Sequence, residues 1–264
     1  MIEKITFQEL FAMKKKAEKI VSLTAYDASF AALLDAAGVE VVLVGDSLGM
    51  VLQGEANTLD VSMDDMVYHT RLVSKTCKRA MLVSDLPFQS YETKELALHN
   101  AERLVQAGAK VVKLEGGVEM QEVVEHLCAN NIEVCGHVGL QPQSVELYGG
   151  YKVQGRDENS ARRIMNGALA LQSAGAKMVV LECIPADLAE QVTAALNIPT
   201  IGIGAGVACD GQVLVLYDLL GVSIKSPHMA KNFLAESGNI SDAIRDYVSA
   251  VKSGDFPAIE HSFK

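Results

Sequence analysis

Short apolar runs alternate with helical patterns about eight times along this chain. The clearest run, Val41–Val44, contains only β-branched and aliphatic residues and is too short for a helix, so it indicates a strand buried on both faces. Alternating strand and helix units predict a parallel sheet covered by helices. The predicted strands are residues 20–23, 41–44, 81–83, 110–114, 132–135, 177–181, 199–203 and 213–217.

About eight such units within 264 residues fit a TIM (β/α)8 barrel, and we predict a single barrel domain over residues 1–264. An extra N-terminal helix is predicted at residues 7–16, and C-terminal helices are predicted at 230–236 and 241–251. A doubly wound open sheet is the alternative fold, but it would gather its functional residues at one switch point. Polar residues here follow nearly every strand, which favours the barrel.

Charge and hydropathy restrict what the chain can bind. The net charge is −10, and the longest basic run is residues 14–16, which we interpret as solvated helix surface. A nucleic-acid partner is therefore not expected, because such partners select basic patches. An acidic membrane surface is disfavoured for the same reason, and no apolar run approaches the roughly 20 residues that span a bilayer.

Cysteine usage and the first residues bear on the compartment. The chain has five cysteines, an odd number, with no C-x-x-C spacing, which indicates reduced thiols in a cytosolic protein. The first residues lack the basic segment and apolar core of a signal peptide. We therefore predict a cytoplasmic location.

Reactive polar side chains follow the predicted strands where each strand ends. In a barrel these ends open on one face, so the side chains should meet there. They are Asp46, Ser47, Asp85, Lys113, Glu115, His137 and Glu182. One lysine among four carboxylates leaves excess negative charge, which a hard divalent ion such as Mg²⁺ would balance through oxygen ligands. The alternative for any single acid is a helix N-cap or an ion pair with Lys113.

Other residues near the strand ends leave more than one interpretation open. His137 could bind substrate or satisfy a loop carbonyl, whereas core packing is the better interpretation of Cys135 and Cys183. The Ile-Gly-Ile-Gly-Ala-Gly segment at 201–206 lacks the dinucleotide-binding spacing, so we interpret it as a turn or a close backbone approach to a ligand. Residues 140–157 lack periodicity, which is typical of a lid, a binding loop or disorder.

Eight motifs resemble those of the ketopantoate hydroxymethyltransferase family. They are Thr24-Ala-Tyr-Asp27, Val44-Gly-Asp-Ser-Leu-Gly-Met50, Asp85-Leu-Pro-Phe88, Lys113-Leu-Glu-Gly-Gly117, Gly136-His-Val-Gly-Leu-Gln-Pro-Gln-Ser144, Gly149-Gly-Tyr-Lys-Val-Gln-Gly-Arg156, Leu181-Glu-Cys-Ile-Pro185 and Ile201-Gly-Ile-Gly-Ala-Gly206. The motifs occur in the family's order, and the resemblance runs from about Thr6 to Phe263. The departures, at Gln89, Gln141 and residues 223–226, leave the acids at the strand ends unchanged.

The resemblance implies a fold and an activity. The fold would be a barrel related to phosphoenolpyruvate mutase and isocitrate lyase. The activity would be transfer of a hydroxymethyl unit from 5,10-methylenetetrahydrofolate, the co-substrate, to 3-methyl-2-oxobutanoate with the help of Mg²⁺. The product, 2-dehydropantoate, lies on the pathway to pantothenate and coenzyme A. The family also suggests a homo-oligomer, a decamer.

The family pattern also implies roles for the residues at the strand ends. Asp46, Asp85 and Glu115 would bind the metal, Glu115 through water. The substrate would be bound by Asp46, Ser47, Asp85 and Lys113. Glu182 would be the general base. The chemistry suits such residues, because a 2-oxo acid can chelate Mg²⁺ through its ketone and carboxylate oxygens. The ion then stabilises the enolate that forms when the C3 proton leaves. A carboxylate base is tuned for that step by partial desolvation.

Two other functions remain open from the sequence. One is a Mg²⁺-dependent C–C lyase or mutase acting on another 2-oxo acid. Such barrels typically use a catalytic cysteine or a phospho-substrate pocket, and Cys183 is poorly placed to be a catalytic cysteine. The other is a non-catalytic barrel that binds an acidic metabolite and does not need Glu182. An assay with the keto acid, methylenetetrahydrofolate and Mg²⁺, with and without chelator, separates the three.

Overall fold

Eight parallel strands close into a barrel in the order of the sequence. A computed structural model describes residues 4–146, 149–223 and 225–264. The strands are β1 (Ile20–Thr24), β2 (Val41–Val44), β3 (Met81–Asp85), β4 (Val111–Lys113), β5 (Val134–Gly139), β6 (Met178–Glu182), β7 (Thr200–Ile203) and β8 (Gly211–Leu214). Because β8 pairs with both β7 and β1, the sheet has no open edge, which confirms the predicted TIM barrel and excludes the open sheet.

Helices cover the outside of this barrel. They are α1 (Phe7–Lys15), α2 (Ala28–Ala37), α3 (Met63–Ser74), α4 (Lys94–Ala107), α5 (Gln121–Ala129), α6 (Glu158–Ser173), α7 (Ala186–Ala195), α8 (Leu216–Leu219), α9 (Leu234–Ser237) and α10 (Ile240–Ser253). Shorter turns lie at Gly49–Gln53, Val118–Met120, Pro142–Ser144 and Ile259–His261. No helix within the described ranges is long and apolar enough to cross a membrane.

The sequence predicts α2 at residues 28–37, with Asp27 as its cap and Gly38 as its end, and the structure confirms these bounds. Asp27 caps its first turn, because the carboxylate accepts hydrogen bonds from the backbone N–H groups of Ser29 and Phe30 at 2.8 and 3.0 Å. Gly38 ends the helix with a φ of 91°, a conformation that glycine adopts without a steric cost. The chain then turns directly into β2.

The hydrophobic core has an inner and an outer layer. The inner layer fills the barrel with side chains from alternate strand positions, including Val41, Leu43, Val111 and Val180. Leu10 of α1 is fully buried in this layer, so α1 closes the amino-terminal end of the barrel. The outer layer packs the other faces of the strands against the helices.

Helix α10 covers the wall beside β1 and β8. Helix α8 is only four residues long and follows β8 directly. Tyr247 of α10 is fully buried, and its hydroxyl lies 3.0 Å from the carbonyl oxygen of Ser22 and 3.1 Å from that of Gln212. The predicted C-terminal helix therefore supplies the cover that a longer eighth helix would give.

Some boundaries differ from the sequence predictions. β5 continues to Gly139 rather than stopping at Cys135, so His137 lies within the strand. β8 spans Gly211–Leu214, whereas the sequence predicts this strand at residues 213–217. The sequence predicts a helix that runs to about Arg79, but α3 ends at Ser74. The backbone N–H groups of Arg79 and the following residue donate instead to the carboxylate of Asp35.

The sequence analysis expected the basic run at residues 14–16 to lie on a solvated helix surface. The structure shows that this run is not wholly solvated. The side chain of Lys14 is only 14% exposed, and its Nζ lies 2.7 Å from Oδ2 of Asp210. It also donates to the carbonyl oxygen of Thr193 at 3.0 Å. Lys14 therefore ties α1 to the amino-terminal end of the barrel.

Candidate active site

Two carboxylates and a lysine meet at the carboxyl ends of β2, β3 and β4. Asp85 ends β3 and lies opposite Lys113, the last residue of β4. Lys113 Nζ donates to Asp85 Oδ1 at 2.7 Å, and both side chains are buried. Asp46 follows β2, and its backbone N–H donates to Asp85 Oδ2 at 3.2 Å. The barrel register therefore brings together residues that the sequence separates by up to 67 positions.

The electrostatics of this cluster are dominated by burial and repulsion. Burial raises the pKa of Asp46 well above its usual value, and the charges of Asp85 and Glu115 raise it further. Burial would lower the pKa of Lys113, but the three neighbouring carboxylates outweigh it and raise that pKa instead. Lys113 is therefore a cation at neutral pH, and its charge offsets only part of the negative charge around Asp46.

His137 lies between two acids of the site. Its Nδ1 is 3.4 Å from Glu115 Oε1, and its Nε2 is 3.2 Å from Glu182 Oε2. These are ion-pair contacts rather than well-aligned hydrogen bonds. Burial alone would lower the pKa of His137, but the two carboxylates raise it to about 9. The imidazole is therefore a second cation at neutral pH, whereas the sequence analysis considered only substrate or a loop carbonyl as its partner.

Of the two carboxylates beside His137, Glu182 is the more exposed to solvent. Its side chain is 13% exposed, against 3% for that of Glu115. Glu182 ends β6, and the next residue, Cys183, has a φ of 47°, which is a strained conformation for a non-glycine residue. The strand therefore stops abruptly after Glu182 and leaves its carboxylate at the edge of the buried cluster.

Ser47 also borders this cluster. A Cβ on Gly45 would lie 2.8 Å from Ser47 Oγ and 3.6 Å from Asp85 Oδ2, so both side chains flank the same short segment. Ser47 Oγ is 2.9 Å from the hydroxyl of Tyr26. Burial raises the pKa of Tyr26, so this hydroxyl keeps its proton. The structure thus brings together all seven residues that the sequence proposed for the site.

Sequence reasoning missed Gln143, which contacts two of the acids. Its Nε2 donates to Asp46 Oδ2 at 2.7 Å and its backbone N–H donates to Glu115 Oε2 at 3.0 Å. Gln143 lies in the turn after β5 and is 4% exposed. The only sequence signal was its place in the 136–144 motif. Gln143 reaches the site from a loop without periodicity, so its position relative to a predicted strand end could not identify it.

The remaining candidates have structural roles. Cys135 and Cys183 are buried, as core packing predicts, and burial raises the pKa of both thiols, to about 12 for Cys135. In the 201–206 segment, Gly204 and Gly206 have positive φ values of 60° and 82°. A Cβ on Gly206 would lie 2.6 Å from that of Ala186, so the turn and close chain packing explain these glycines.

The donor set suits a hard divalent cation. The carboxylates of Asp46, Asp85 and Glu115 supply oxygen donors. Burial raises the pKa of Asp46, and the negative charges of Asp85 and Glu115, which a cation would offset, raise it further. No group of three or more His, Cys, Asp or Glu side chains within the described ranges is preformed around a metal position. Mg²⁺ is commonly held by one or two carboxylates and completes its octahedron with water and substrate oxygens.

Comparison with solved structures supports the barrel fold. A 2,3-dimethylmalate lyase of the PEP mutase/isocitrate lyase superfamily is 17% identical with a TM-score of 0.58, covering 98% of this chain and 91% of that one. A phosphonopyruvate hydrolase solved with oxalate and Mg²⁺ is 13% identical with a TM-score of 0.61, covering 97% and 92%. At these identities the similarity concerns the fold alone.

Comparison of sequences is more specific. Residues 4–259 match the model of the ketopantoate hydroxymethyltransferase family. A 3-methyl-2-oxobutanoate hydroxymethyltransferase of Nitrosococcus oceani is 58% identical over 262 residues, which cover 98% of this chain and 99% of that protein. These matches confirm the predicted enzyme class together with the resemblance. The chain belongs to the ketopantoate hydroxymethyltransferase family.

Proposed function

We propose that this chain transfers a hydroxymethyl unit from 5,10-methylenetetrahydrofolate to 3-methyl-2-oxobutanoate, giving 2-dehydropantoate and tetrahydrofolate. Family membership supports the reaction. The observation that carries the assignment of roles is the pair of Glu182 and His137, in which one partly exposed carboxylate lies 3.2 Å from a buried imidazolium at the edge of an acidic cluster. That arrangement offers one solvent-accessible base beside groups able to hold a polar substrate.

A magnesium ion fits the acidic cluster. Asp46 and Asp85 would hold it directly, and Glu115 would reach it through water. When bound, Mg²⁺ supplies a Lewis acid for the ketone and carboxylate oxygens of a 2-oxo acid. Asp46 and Glu115 are buried beside Asp85, and the charges of Asp85 and Glu115 raise the pKa of Asp46, which supports this assignment because a cation would offset that repulsion.

The chain's own residues bind the keto acid and move its proton. Lys113 and Ser47 donate to the substrate carboxylate. Lys113 Nζ lies 2.7 Å from Asp85 Oδ1, and Ser47 Oγ borders the Gly45 segment that Asp85 Oδ2 also borders, so both donors lie at the acidic cluster. Glu182 accepts the proton from C3, and the neighbouring His137 keeps its carboxylate oriented. The C3 carbon then forms a bond to the methylene carbon of the folate as the first of that carbon's two carbon–nitrogen bonds breaks. Water supplies the hydroxyl oxygen as the second carbon–nitrogen bond breaks, and the two nitrogens take up the C3 proton and one proton of water, which releases tetrahydrofolate.

The cysteine-dependent alternative finds little support. Burial and the neighbouring Glu182 raise the pKa of Cys183, so its thiol is a poor nucleophile and a poor acid at neutral pH. A non-catalytic barrel would not need a partly exposed carboxylate beside an imidazolium. Both alternatives predict that no deuterium enters 3-methyl-2-oxobutanoate.

Hydrogen exchange tests the base assignment without folate. With Mg²⁺ in D₂O, the parent protein should replace the C3 hydrogen of 3-methyl-2-oxobutanoate with deuterium, which NMR detects. Glu182→Gln should lower that rate by roughly 10²–10⁴-fold, as expected for loss of a positioned base. Glu190→Gln, an exposed change on α7, serves as the control. Exchange at the parent rate in Glu182→Gln would transfer the role of base to another group.

We also propose that residues 1–264 form one domain of a cytoplasmic homo-decamer. Five free thiols support the compartment. Apolar side chains exposed on the single chain support association, among them Val118, Val222 and Ile259, the last 81% exposed. Light scattering on the purified protein should give ten times the mass of the 28.3 kDa chain. A monomer at micromolar concentration would contradict the assembly.

A further inference from the structure

A closed set of hydrogen bonds joins Tyr91, Gln143 and Glu115 beside the acidic cluster. The Tyr91 hydroxyl donates to Gln143 Oε1 at 2.5 Å. The backbone N–H of Gln143 donates to Glu115 Oε2 at 3.0 Å, and the backbone N–H of Glu115 donates to the Tyr91 hydroxyl oxygen at 3.4 Å. Three segments that follow different strands are therefore linked in one ring.

The polarity of this ring fixes the orientation of the Gln143 amide. A backbone N–H can only donate, so the Tyr91 oxygen accepts from Glu115 and its single proton is directed at Gln143. The amide oxygen of Gln143 then faces Tyr91, and the amide nitrogen faces the other way. A side-chain amide whose orientation would otherwise be ambiguous is determined here by its neighbours.

The amide nitrogen of Gln143 meets two acceptors. One is Asp46 Oδ2 at 2.7 Å, and the other is the carbonyl oxygen of Leu86 at 3.0 Å. If the amide were reversed, its oxygen would face these two acceptor oxygens, and neither contact would have a hydrogen-bond donor. The bond to Asp46 favours the ionised form of this carboxyl, whose pKa burial raises.

We propose that Gln143 and Tyr91 are positioning residues for the metal-binding carboxylate. Gln143 holds one oxygen of Asp46 and so sets the direction of its carboxylate plane. Tyr91 acts through Gln143, because its proton keeps the amide nitrogen turned toward Asp46. This proposal rests on the proposed function, in which Asp46 is a direct ligand of Mg²⁺.

Calorimetric titration with Mg²⁺ in the presence of 3-methyl-2-oxobutanoate tests the pair. Gln143→Met removes the amide at similar size and should weaken Mg²⁺ binding roughly 10- to 100-fold, as expected for a lost hydrogen bond to a charged group. Tyr91→Phe removes only the hydroxyl and should give a smaller loss in the same direction. Tyr68→Phe, a half-exposed tyrosine on α3, is the matched control and should bind as the parent does.

The double variant separates positioning from general damage. Tyr91→Phe should cause no further loss of Mg²⁺ affinity when Gln143 is already Met, because no amide remains to be oriented. Thermal unfolding midpoints should stay close to that of the parent, so that a change in affinity cannot be ascribed to unfolding. Parent-like affinity in both single variants, or additive losses in the double variant, would overturn the proposal.

The outcomes also separate this proposal from the proposed function. If the parent binds Mg²⁺ and exchanges the C3 hydrogen but the variants bind like the parent, the positioning role fails and the function stands. If the parent exchanges the hydrogen without binding Mg²⁺, the metal role of Asp46 fails and the positioning role fails with it.

Discussion

Asp46 occupies the least favourable position for a charge in the site. It is 4% exposed, and it faces Asp85 and Glu115 while Lys113 is paired with Asp85. Asp85 differs, because it has the direct ion pair with Lys113 at 2.7 Å. Two acids with the same proposed role as ligands therefore contribute with opposite sign to the stability of the metal-free protein.

Replacing each acid with its amide should show this contrast. Asp46→Asn and Asp85→Asn should each lose most of the Mg²⁺ affinity measured by calorimetry, since each removes a charged oxygen ligand. In chelator, Asp46→Asn should unfold at or above the parent temperature, because repulsion is relieved. Asp85→Asn should unfold lower, since Lys113 loses its direct ion pair at 2.7 Å, and breaking a buried ion pair costs about 3–5 kcal/mol. Unchanged Mg²⁺ affinity in both variants would contradict the metal assignment.

The sequence predicts some residues of the site and not others, for a physical reason. Asp46, Asp85 and Glu182 could be identified because each follows or ends an apolar run, and strand ends share one face of a barrel. The charge of His137 could not be predicted, since it depends on two carboxylates within 3.4 Å that the chain supplies from other strands. Gln143 was missed because its loop position carries no periodic pattern.

At the scale of elements, glycine explains where strand prediction failed. β5 contains Gly136 and Gly139, which the sequence analysis took as the end of the strand. A Cβ on Gly136 would lie 2.6 Å from Leu171 Cδ1, so this glycine lets α6 approach the barrel wall. Pairing over five residues with β6 holds β5 extended in spite of its glycines. Pairing with a neighbour outweighs local propensity here.

Gly139 links β5 to the placement of the base, which a substitution can test. A Cβ at this position would lie 2.2 Å from the carbonyl oxygen of Glu182, and the φ of Gly139 is 100°. Gly139→Ala should therefore destabilise the protein by about 2–4 kcal/mol and displace the end of β6. Hydrogen exchange into the keto acid should fall with it, measured at a temperature where the variant stays folded.

Gly238 provides the matched control for that substitution. Its φ is 79°, but no atom lies within 4 Å of its would-be Cβ, and it ends α9. Gly238→Ala should lose only about 1 kcal/mol, the cost of a left-handed backbone, with unchanged exchange. Equal effects of the two substitutions on exchange would mean that close packing against Glu182 does not position the base.

At the scale of the whole molecule, the two ends of the barrel have different tasks. The reactive side chains lie at the carboxyl ends of the strands, whereas α1 closes the amino-terminal end with Leu10 and Lys14. The strand–helix alternation was enough to predict the barrel, and with it the gathering of the polar strand-end residues on one face. It could not predict the buried pair of Lys14 and Asp210, because that contact joins the first helix to a residue 196 positions away.

This division predicts that stability and activity can be changed separately. Leu10→Ala removes a fully buried side chain from the inner core layer and should cost about 2–5 kcal/mol, lowering the thermal unfolding midpoint. Leu33→Ala, on the outer surface of α2 and 36% exposed, should cost about 0.5 kcal/mol or less. Below the transition, both variants should keep the parent's Mg²⁺ affinity, kcat and KM, because neither residue lies at the carboxyl ends of the strands. Leu10 and Val111 share one packed layer of the barrel interior, and Val111 lies on the same strand as Lys113. A loss of Mg²⁺ affinity in folded Leu10→Ala would therefore mean that the amino-terminal end of the barrel and the site are coupled through this interior.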